Sequence, residues 1–513
     1  MKKILFFLSL AAIIYMLTFI TNVPDVDLWA RLAVGSIFFQ TGHVMRHDIF
    51  SYLPTKDLWI DHEWGASVVF YFFAKYMGDW GIFALKAVIL LTIFILIIKI
   101  IKLHTGKYAG VFYLTFTGFS LLPYIANLIR CQMFTFLFFT LWVYALERIR
   151  RGEDRLIWIF PATMLLWANM HGGFLAGIGL VFIYAFGELF NRKDYLKYFG
   201  ILAFIIPVTL INPYGWKFWD YIVTAAIMPR PYIGEWGLIN ISGPIHIFAG
   251  IKIHVLVGFM IFFVLMLVAS IKLLLQKEKP DWTRIILFIV LLYLGIKRQR
   301  HTVFFVLAAS SLFYHQYLNL FMPVEGFIKN KLAAKAYEMW EPVRRNFCYL
   351  MLGLICVYIM PRLSTSIVVA PSAYPVGSLE FIKQNNITGN LATLFDWGSY
   401  AFWKLYPQCK VLIDGRYEEV YPDYIYNEAM QFSQHQGDPM TPLRNYHTDI
   451  LILPKQRYTP SDISIFTGWK PVYEDMVSVL FLPKDKIKSF YIYPDYKNPL
   501  YWKEDLSKNI PLD

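Results

Sequence analysis

Charged residues are scarce in this 513-residue chain, at 16% of positions, where soluble proteins carry about a quarter. That scarcity excludes an ordinary soluble protein built from several cores. Cysteine is nearly as sparse. Of the four, Cys131, Cys348 and Cys356 lie in apolar stretches and only Cys409 in a polar one. Such a set excludes a disulfide framework and a cysteine-based zinc site. Internal repeats and low-complexity tracts are absent too, so repeat architectures drop out.

Apolar residues make up 57% of the chain, and mean hydropathy is +0.46. They fall in blocks of about 15–24 residues, the length a helix needs to cross hydrocarbon. Aromatics such as Tyr144, Trp158 and Trp167 mark block edges, as suits the headgroup level. The first block, Ile4 to Ile20, follows Met-Lys-Lys and has no small-residue cleavage site before Pro24. It is expected to stay as an uncleaved first span. Gly65–Met77 is too short to cross and is expected to lie along the surface as an amphipathic helix. Further spans are expected at Gly81–Ile101, Ala109–Ala126, Met133–Leu146, Leu156–Trp167, Phe174–Phe190, Phe199–Leu210, Ile253–Leu275, Ile285–Leu294, Val303–Leu320 and Phe347–Met360.

With Lys2 and Lys3 inside, every second loop should be cytoplasmic: Lys99–Lys107, Arg148–Arg155, Arg192–Lys197, Lys277–Arg284 and Lys329–Arg345. Each carries a basic cluster, as the positive-inside rule requires. The net charge of +12 therefore reads as membrane topology, and nucleic acid is not an expected partner. The expected fold class is a polytopic α-helical membrane protein of about eleven spanning helices with a C-terminal α/β soluble domain on the outer face. The expected division is 1–361, including a first outer loop at 22–80, and 362–513. In the latter, Asn390–Phe395, Lys410–Ile413, Asp449–Leu453 and Val477–Leu482 read as strands and Ser378–Asn385 as a helix. The tail Tyr491–Asp513 reads as turns.

One cluster breaks the charge rule. Lys297, Arg298, Arg300 and His301 fall at an outward-facing end, where an anionic ligand is one explanation and snorkelling to lipid phosphate another. Arg130 stands at a second outer helix end with the same two readings. In the first outer loop, Asp25 and Asp27 follow the first span. In an extended segment they would point to one side and converge on a proton or cation; otherwise Asp27 precedes an apolar helical pattern, Leu28 to Gln40, and helix capping explains one of them. His47 and Asp48, then Asp61, His62 and Glu63, add titratable groups in the same loop. Their spacing matches no dedicated metal motif. The turn Trp167–Gly173 follows a short span, so Asn169 and His171 either line a protein-walled cavity or cap helix ends. Ile211–Trp216 ends a span and leads to Glu235-Trp236. In the C-terminal region Asp414-Gly415 reads as a turn at a strand end, and Trp397, Tyr400 and Trp403 serve either sugar stacking or a small core.

The run DVDLWARLAVGSIFFQTGHVMRHDIFSY and WIDHEW, with WANMHGG, INPYGW, FDWGSY and LIDGRYEEVY, resembles the GT-C superfamily of membrane glycosyltransferases. That superfamily includes protein O-mannosyltransferases, aminoarabinose transferases of lipid A and oligosaccharyltransferases. The whole set is most similar to a bacterial GT-C-like group whose members mostly lack assigned substrates. The resemblance implies a glycosyltransferase of the bacterial cytoplasmic (inner) membrane, with the N-terminus cytoplasmic and the C-terminal domain extracytoplasmic. It implies a polyprenyl-phosphate or pyrophosphate sugar donor, a glycan, lipid or protein acceptor, and inversion at the anomeric carbon. Asp25 matches the first acid of the family pair and Asp27 stands where an adjacent acid is usual, so the general base is one of these two. Arg130, Lys297, Arg298, Arg300 and His301 would bind the donor phosphate. His47, Asp48, His62, Glu63, Asn169 and His171 would support the acceptor side.

No cofactor is required for a lipid-monophosphate donor. The D-x-D spacing resembles oligosaccharyltransferases, whose acids hold a divalent metal, although their Trp-Trp-Asp signature is absent. Mg or Mn on Asp25 and Asp27 therefore stays open. A lipid or glycan transporter or flippase would place charges at the bilayer midplane in repeated halves, and neither feature is present. A non-catalytic assembly protein of the same fold is the third reading.

Overall fold

The structure is a computed structural model of the chain and describes every residue except 1, 127–128, 241–244, 249–250, 255, 276–279, 319–333, 437, 439, 457–467, 488–489, 491–501 and 513. Parts of the expected basic loops 277–284 and 329–345, the end of the expected span 303–320 and most of the expected tail 491–513 lie outside the described residues. The chain packs as two compact units, one of residues 1–21, 83–211 and 229–365, the other of 22–82, 212–228 and 366–513.

The first unit is helical apart from a hairpin of β1 (Ile245–Phe248) and β2 (Ile251–His254). Its helices begin with α1 (Lys2–Phe19); the second unit then supplies α2 (Val26–Thr41) and the start of α3 (Trp64–Thr105). They continue through α4 (Val111–Leu121), α5 (Gln132–Ile149), α6 (Ile159–Ala168), α7 (Phe174–Phe190) and α8 (Leu196–Val208). After α9 (Lys217–Ile227) of the second unit come α10 (Val257–Leu275), α11 (Trp282–Lys297), α12 (Thr302–Leu312) and α13 (Ala334–Ile359). Among the described residues, α3 is the helix long and apolar enough to cross a membrane by length and composition. Shorter apolar helices include Phe174–Phe190 and Leu196–Val208. The surface helix and span expected at 65–77 and 81–101 are joined in α3, with a break at Gly78, whose φ of 57° and ψ of −141° suit glycine.

α7 packs on α5, α8 and α11. The α11 crossing depends on Gly187, where a Cβ would stand 2.3 Å from Thr283 Cα. Acids at these helix ends are paired: Arg150 bonds buried Glu188 and half-exposed Asp281, each at 2.9 Å, and His104 Nε2 lies 2.9 Å from buried Glu147. Part of the basic sequence clusters thus serves to tie helix ends together.

In the second unit a five-stranded sheet has the order β4-β3-β5-β7-β6, from β3 (Gly389–Ala392), β4 (Cys409–Val411), β5 (Ile450–Pro454), β6 (Trp469–Glu474) and β7 (Ser478–Pro483). β4, β3 and β5 run parallel; β7 and β6 are antiparallel. The expected C-terminal α/β character is present, with α14 (Val376–Gln384), α15 (Phe395–Leu405), α16 (Tyr417–Val420), α17 (Asp423–Gln434) and α18 (Thr441–Asn445) around the sheet. The first loop extends the β4 edge. Ser51 bridges Val411 in parallel, and Val411 N donates to Phe50 O at 2.8 Å.

The apolar helical pattern at Leu28 to Gln40 is α2, and Leu28 to Ile37 are buried on all sides. Several of its polar groups bond within the unit. Ser36 Oγ accepts from Ile510 N at 2.8 Å, Gln40 donates to Ile510 O, and Arg31 finds acids. Trp29 packs against Tyr400 and Trp403 of α15, so these aromatics, like Trp397, belong to the core.

Candidate active site

Asp25 is the N-cap of α2. Its Oδ1 accepts from Asp27 N at 3.1 Å, which stabilises an orphan donor of the first turn. Asp27 lies in that turn, and its Oδ1 approaches the Asp414-Gly415 turn so closely that a Cβ at Gly415 would stand 2.8 Å away. Glycine here lets the carboxylate meet bare backbone.

One turn further along α2, Arg31 enters a buried charge cluster. Its Nη1 lies 2.6 Å from Asp61 Oδ1 and 3.6 Å from Glu63 Oε2, and Nη2 lies 3.6 Å from Glu419 Oε2. His62 Nδ1 is 2.8 Å from Glu419 Oε1, and its Nε2 is 3.8 Å from Glu63. Trp59 Nε1 donates to the second Glu419 oxygen at 2.9 Å, and the Tyr221 hydroxyl meets His62 Nδ1 at 3.1 Å. Ligand-capable atoms of His62, Glu63 and Glu419 all lie within 4.8 Å of one another.

Electrostatics divides the acids. Burial pushes Asp61 and Glu63 above the usual carboxylate range, and Arg31 only partly offsets it. Burial acts the same way on Glu419, but Arg31 and His62 outweigh it and bring Glu419 to about 2. Burial would lower His62; the Glu419 hydrogen bond and charge, with Glu63 and Glu418, instead raise it to about 9.

Beside this cluster, Arg416 donates to both oxygens of Asp414 and to Asp48 Oδ1, each at 2.7 Å. Its guanidinium stacks on Phe50, Trp59 and Phe402. Asp48 also accepts from Ser51 N at 2.7 Å. His47 next to it is exposed.

The first unit has its own charged site. Trp236 carries three guanidiniums near its ring: Arg230 at 4.0 Å, Arg300 at 4.2 Å and Arg298 at 4.7 Å from the centroid. Glu235 Oε1 lies 3.4 Å from Arg300 and Oε2 3.5 Å from Arg130. The segments are held side by side by Gln299 N to Gly237 O and Ile239 N to Ile296 O. Burial would raise Glu235, but Arg130 and Arg300 keep it below the ordinary carboxylate range. Burial, then Arg300 and Arg298, drive His301 down to about 4. Lys297 bonds the Tyr293 hydroxyl at 3.4 Å. Asn169 donates to Leu165 and Ile211 carbonyls, and His171 Nδ1 meets Thr135 Oγ1 at 2.8 Å, so the Trp167–Gly173 turn has its polar groups engaged.

Solved structures with a similar fold include the archaeal oligosaccharyltransferase AglB from Archaeoglobus fulgidus, in complex with an inhibitory peptide and a dolichol-phosphate. It matches over 88% of this chain and 70% of its own, with TM-score 0.56 and 11% identity. The Archaeoglobus fulgidus oligosaccharyltransferase tethered to an acceptor peptide with the NVT sequon matches over 95% and 73%, with TM-score 0.54 and 9% identity. This chain has the GT-C fold. ArnT from Cupriavidus metallidurans, bound to undecaprenyl phosphate, matches over 94% and 97%, with TM-score 0.46 and 13% identity. No family model matches the sequence, and no curated protein matches it.

The structure brings Arg130, Arg298, Arg300 and His301 near Glu235 and Trp236, and gathers His62 and Glu63 around Glu419. Arg31, Trp59, Arg230, Arg416 and Glu419 were given no role from sequence. LIDGRYEEVY marked the last two, but their partners lie about 360 residues earlier, a pairing that no local spacing encodes.

Proposed function

We propose that the chain is a membrane glycosyltransferase that moves a sugar from a polyprenyl-phosphate or pyrophosphate carrier to a glycan, lipid or protein acceptor at the cell surface. The observation that carries this reading is the GT-C fold, shared over most of the chain with an oligosaccharyltransferase in complex with dolichol-phosphate. Hydropathy supports about eleven spans, and the basic loops support a cytoplasmic N-terminus with residues 362–513 outside.

In this reading a carboxylate of the Asp25/Asp27 pair takes the proton of an acceptor hydroxyl. The acceptor oxygen attacks the anomeric carbon from the face opposite the carrier. The carbon–oxygen bond to phosphate breaks, the phosphate leaves with the electron pair, and configuration inverts. The base is Asp25, which caps α2 through one oxygen, or Asp27 in the first turn. Arg130, Arg298 and Arg300, with His301 and Lys297 at the edge, stabilise the charge gained by a departing phosphate. Asp48, fixed by Arg416, supports the first loop on the acceptor side, with His47, His62, Glu63, Asn169 and His171 as further supporting residues.

The test compares a deletion strain with an Asp25→Ala plus Asp27→Ala strain, profiling surface glycans and accumulated lipid-linked sugars. Both should lose the same glycan and accumulate the same carrier-linked sugar. Full complementation by the double mutant would refute the chemistry.

A further inference from the structure

Glu235 reaches two guanidiniums of the first unit at once. Its Oε1 lies 3.4 Å from Arg300 and its Oε2 3.5 Å from Arg130, so a single carboxylate spans both cations. Carboxylate and phosphate offer an arginine the same feature, a pair of anionic oxygens that accept from its N–H groups. Both contacts of Glu235 are longer than the ~2.7–2.9 Å usual for a charge-assisted hydrogen bond. An anion that bonds either arginine at that distance would outcompete it.

The backbone that carries Glu235 is held by other contacts. The Trp236 ring stacks with Arg230, Arg298 and Arg300. Gln299 N to Gly237 O and Ile239 N to Ile296 O fasten the residues that follow. Glu235 itself sits in the short turn Gly234–Trp236, between exposed Gly234 and Gly237. Its side chain is 34% exposed, against 19% for Arg130 and 18% for Arg300. The carboxylate thus faces solvent more than its partners do, and a change of rotamer takes it off both cations while the turn stays in place.

We propose that Glu235 is a built-in competitor for phosphate: it holds Arg130 and Arg300 until the phosphate of a lipid carrier takes them, and it returns when that phosphate leaves. The inference rests on the reading of this arginine cluster as the donor-phosphate site. Transfer from a monophosphate carrier releases a phosphate monoester of about −1.5 to −2 charge. The returning carboxylate exchanges with that anion and so speeds its release.

Calorimetric titration of full-length protein in detergent with geranyl phosphate tests this. Wild type should bind it below about 1 mM. E235Q should bind at least ~10-fold tighter, the change expected when a closed state occupied about nine-tenths of the time is removed. D438N, which alters an exposed acid of the second unit, should bind as wild type does. A purely structural ion pair predicts the opposite sign, with E235Q binding more weakly. On wild type, carbodiimide labelling of Glu235, read by mass spectrometry, should rise at least ~2-fold when geranyl phosphate is added, because a carboxyl released from two arginines is more easily protonated. That readout stands even if the variant misfolds. Unchanged or weaker binding by folded E235Q, or labelling that does not rise while wild type binds geranyl phosphate, would overturn the competitor and leave the donor site standing. Failure of both proteins to bind geranyl phosphate would overturn the donor-site reading, and the competitor with it. Inorganic phosphate should bind at least ~10-fold more weakly, since it lacks the apolar chain; equal affinity would overturn the lipid source.

Discussion

His62 lies between Glu419 and Glu63 and is raised from 6.5 to about 9. Since its folded value exceeds its unfolded one, the imidazolium contributes stability that is complete below about pH 6.5 and lost as pH rises through about 9. Wild type should therefore melt above H62Q at pH 6, by on the order of 3 kcal/mol. The gap should close by about pH 9.5, and melting curves across that range check it. Arg416 is the second such residue. Replacing it with Met leaves Asp414 and Asp48 buried without a counter-charge, a loss of about 3–5 kcal/mol. R416K should not rescue folding, because one ammonium cannot reproduce bonds to two carboxylates. Recovery of R416K at wild-type yield and melting temperature would contradict this. The acids of the first loop were legible as candidates from sequence. Which of them are paired was not, because the deciding partners, Arg31 and Glu419, become neighbours only when α2 and α16 pack.

At the level of elements, periodicity located much of the architecture. The short apolar runs at 449–453 and 477–482 correspond to β5 and β7, and the apolar blocks to helices. FDWGSY was harder: Phe395 was read as the end of a strand, and it begins α15. β3 ends at Ala392 and α15 starts at Phe395, so the apolar run 390–395 crosses the junction of two elements, which the pattern alone does not mark. β6 was missed for a related reason, since Pro471 within Trp469–Glu474 argues against a strand and is tolerated here at the sheet edge. Gly398 shows how tightly α15 is seated. A Cβ there would fall 1.9 Å from Ile413 O, next to the Asp414 turn. G398A should cost about 1–3 kcal/mol or more through backbone displacement. G179A, in α7 with nothing within 4 Å of its Cβ, should be neutral or stabilising by up to about 1 kcal/mol. Thermal melts of the two variants side by side decide the matter; equal effects would show that the close approach is not structural.

For the whole molecule, the basic loops make a topology that can be checked directly. Reporter fusions after Gly152 and Lys193 should read as cytoplasmic and those after Trp236 and Leu512 as external; the same side for Gly152 and Trp236 would break the alternation. The second unit carries a sharper consequence. Its sheet edge β4 is paired by Phe50–Tyr52, its Arg416 is neutralised partly by Asp48, and α15 is covered by Trp29. Residues 366–513 hold the sheet but none of these three groups. Expressed alone, they would expose the β4 edge, leave Arg416 with one carboxylate, and uncover Tyr400 and Trp403. An open edge beside exposed aromatics favours association between chains. The isolated segment is therefore expected to aggregate, or to show the broad amide spectrum of a loosely packed state. Joining residues 22–63 to it through a flexible linker should restore dispersed amide resonances and a cooperative melt. A well-dispersed, monomeric 366–513 without that loop would mean that the sheet holds itself together, and that the first loop adds function to it without adding fold.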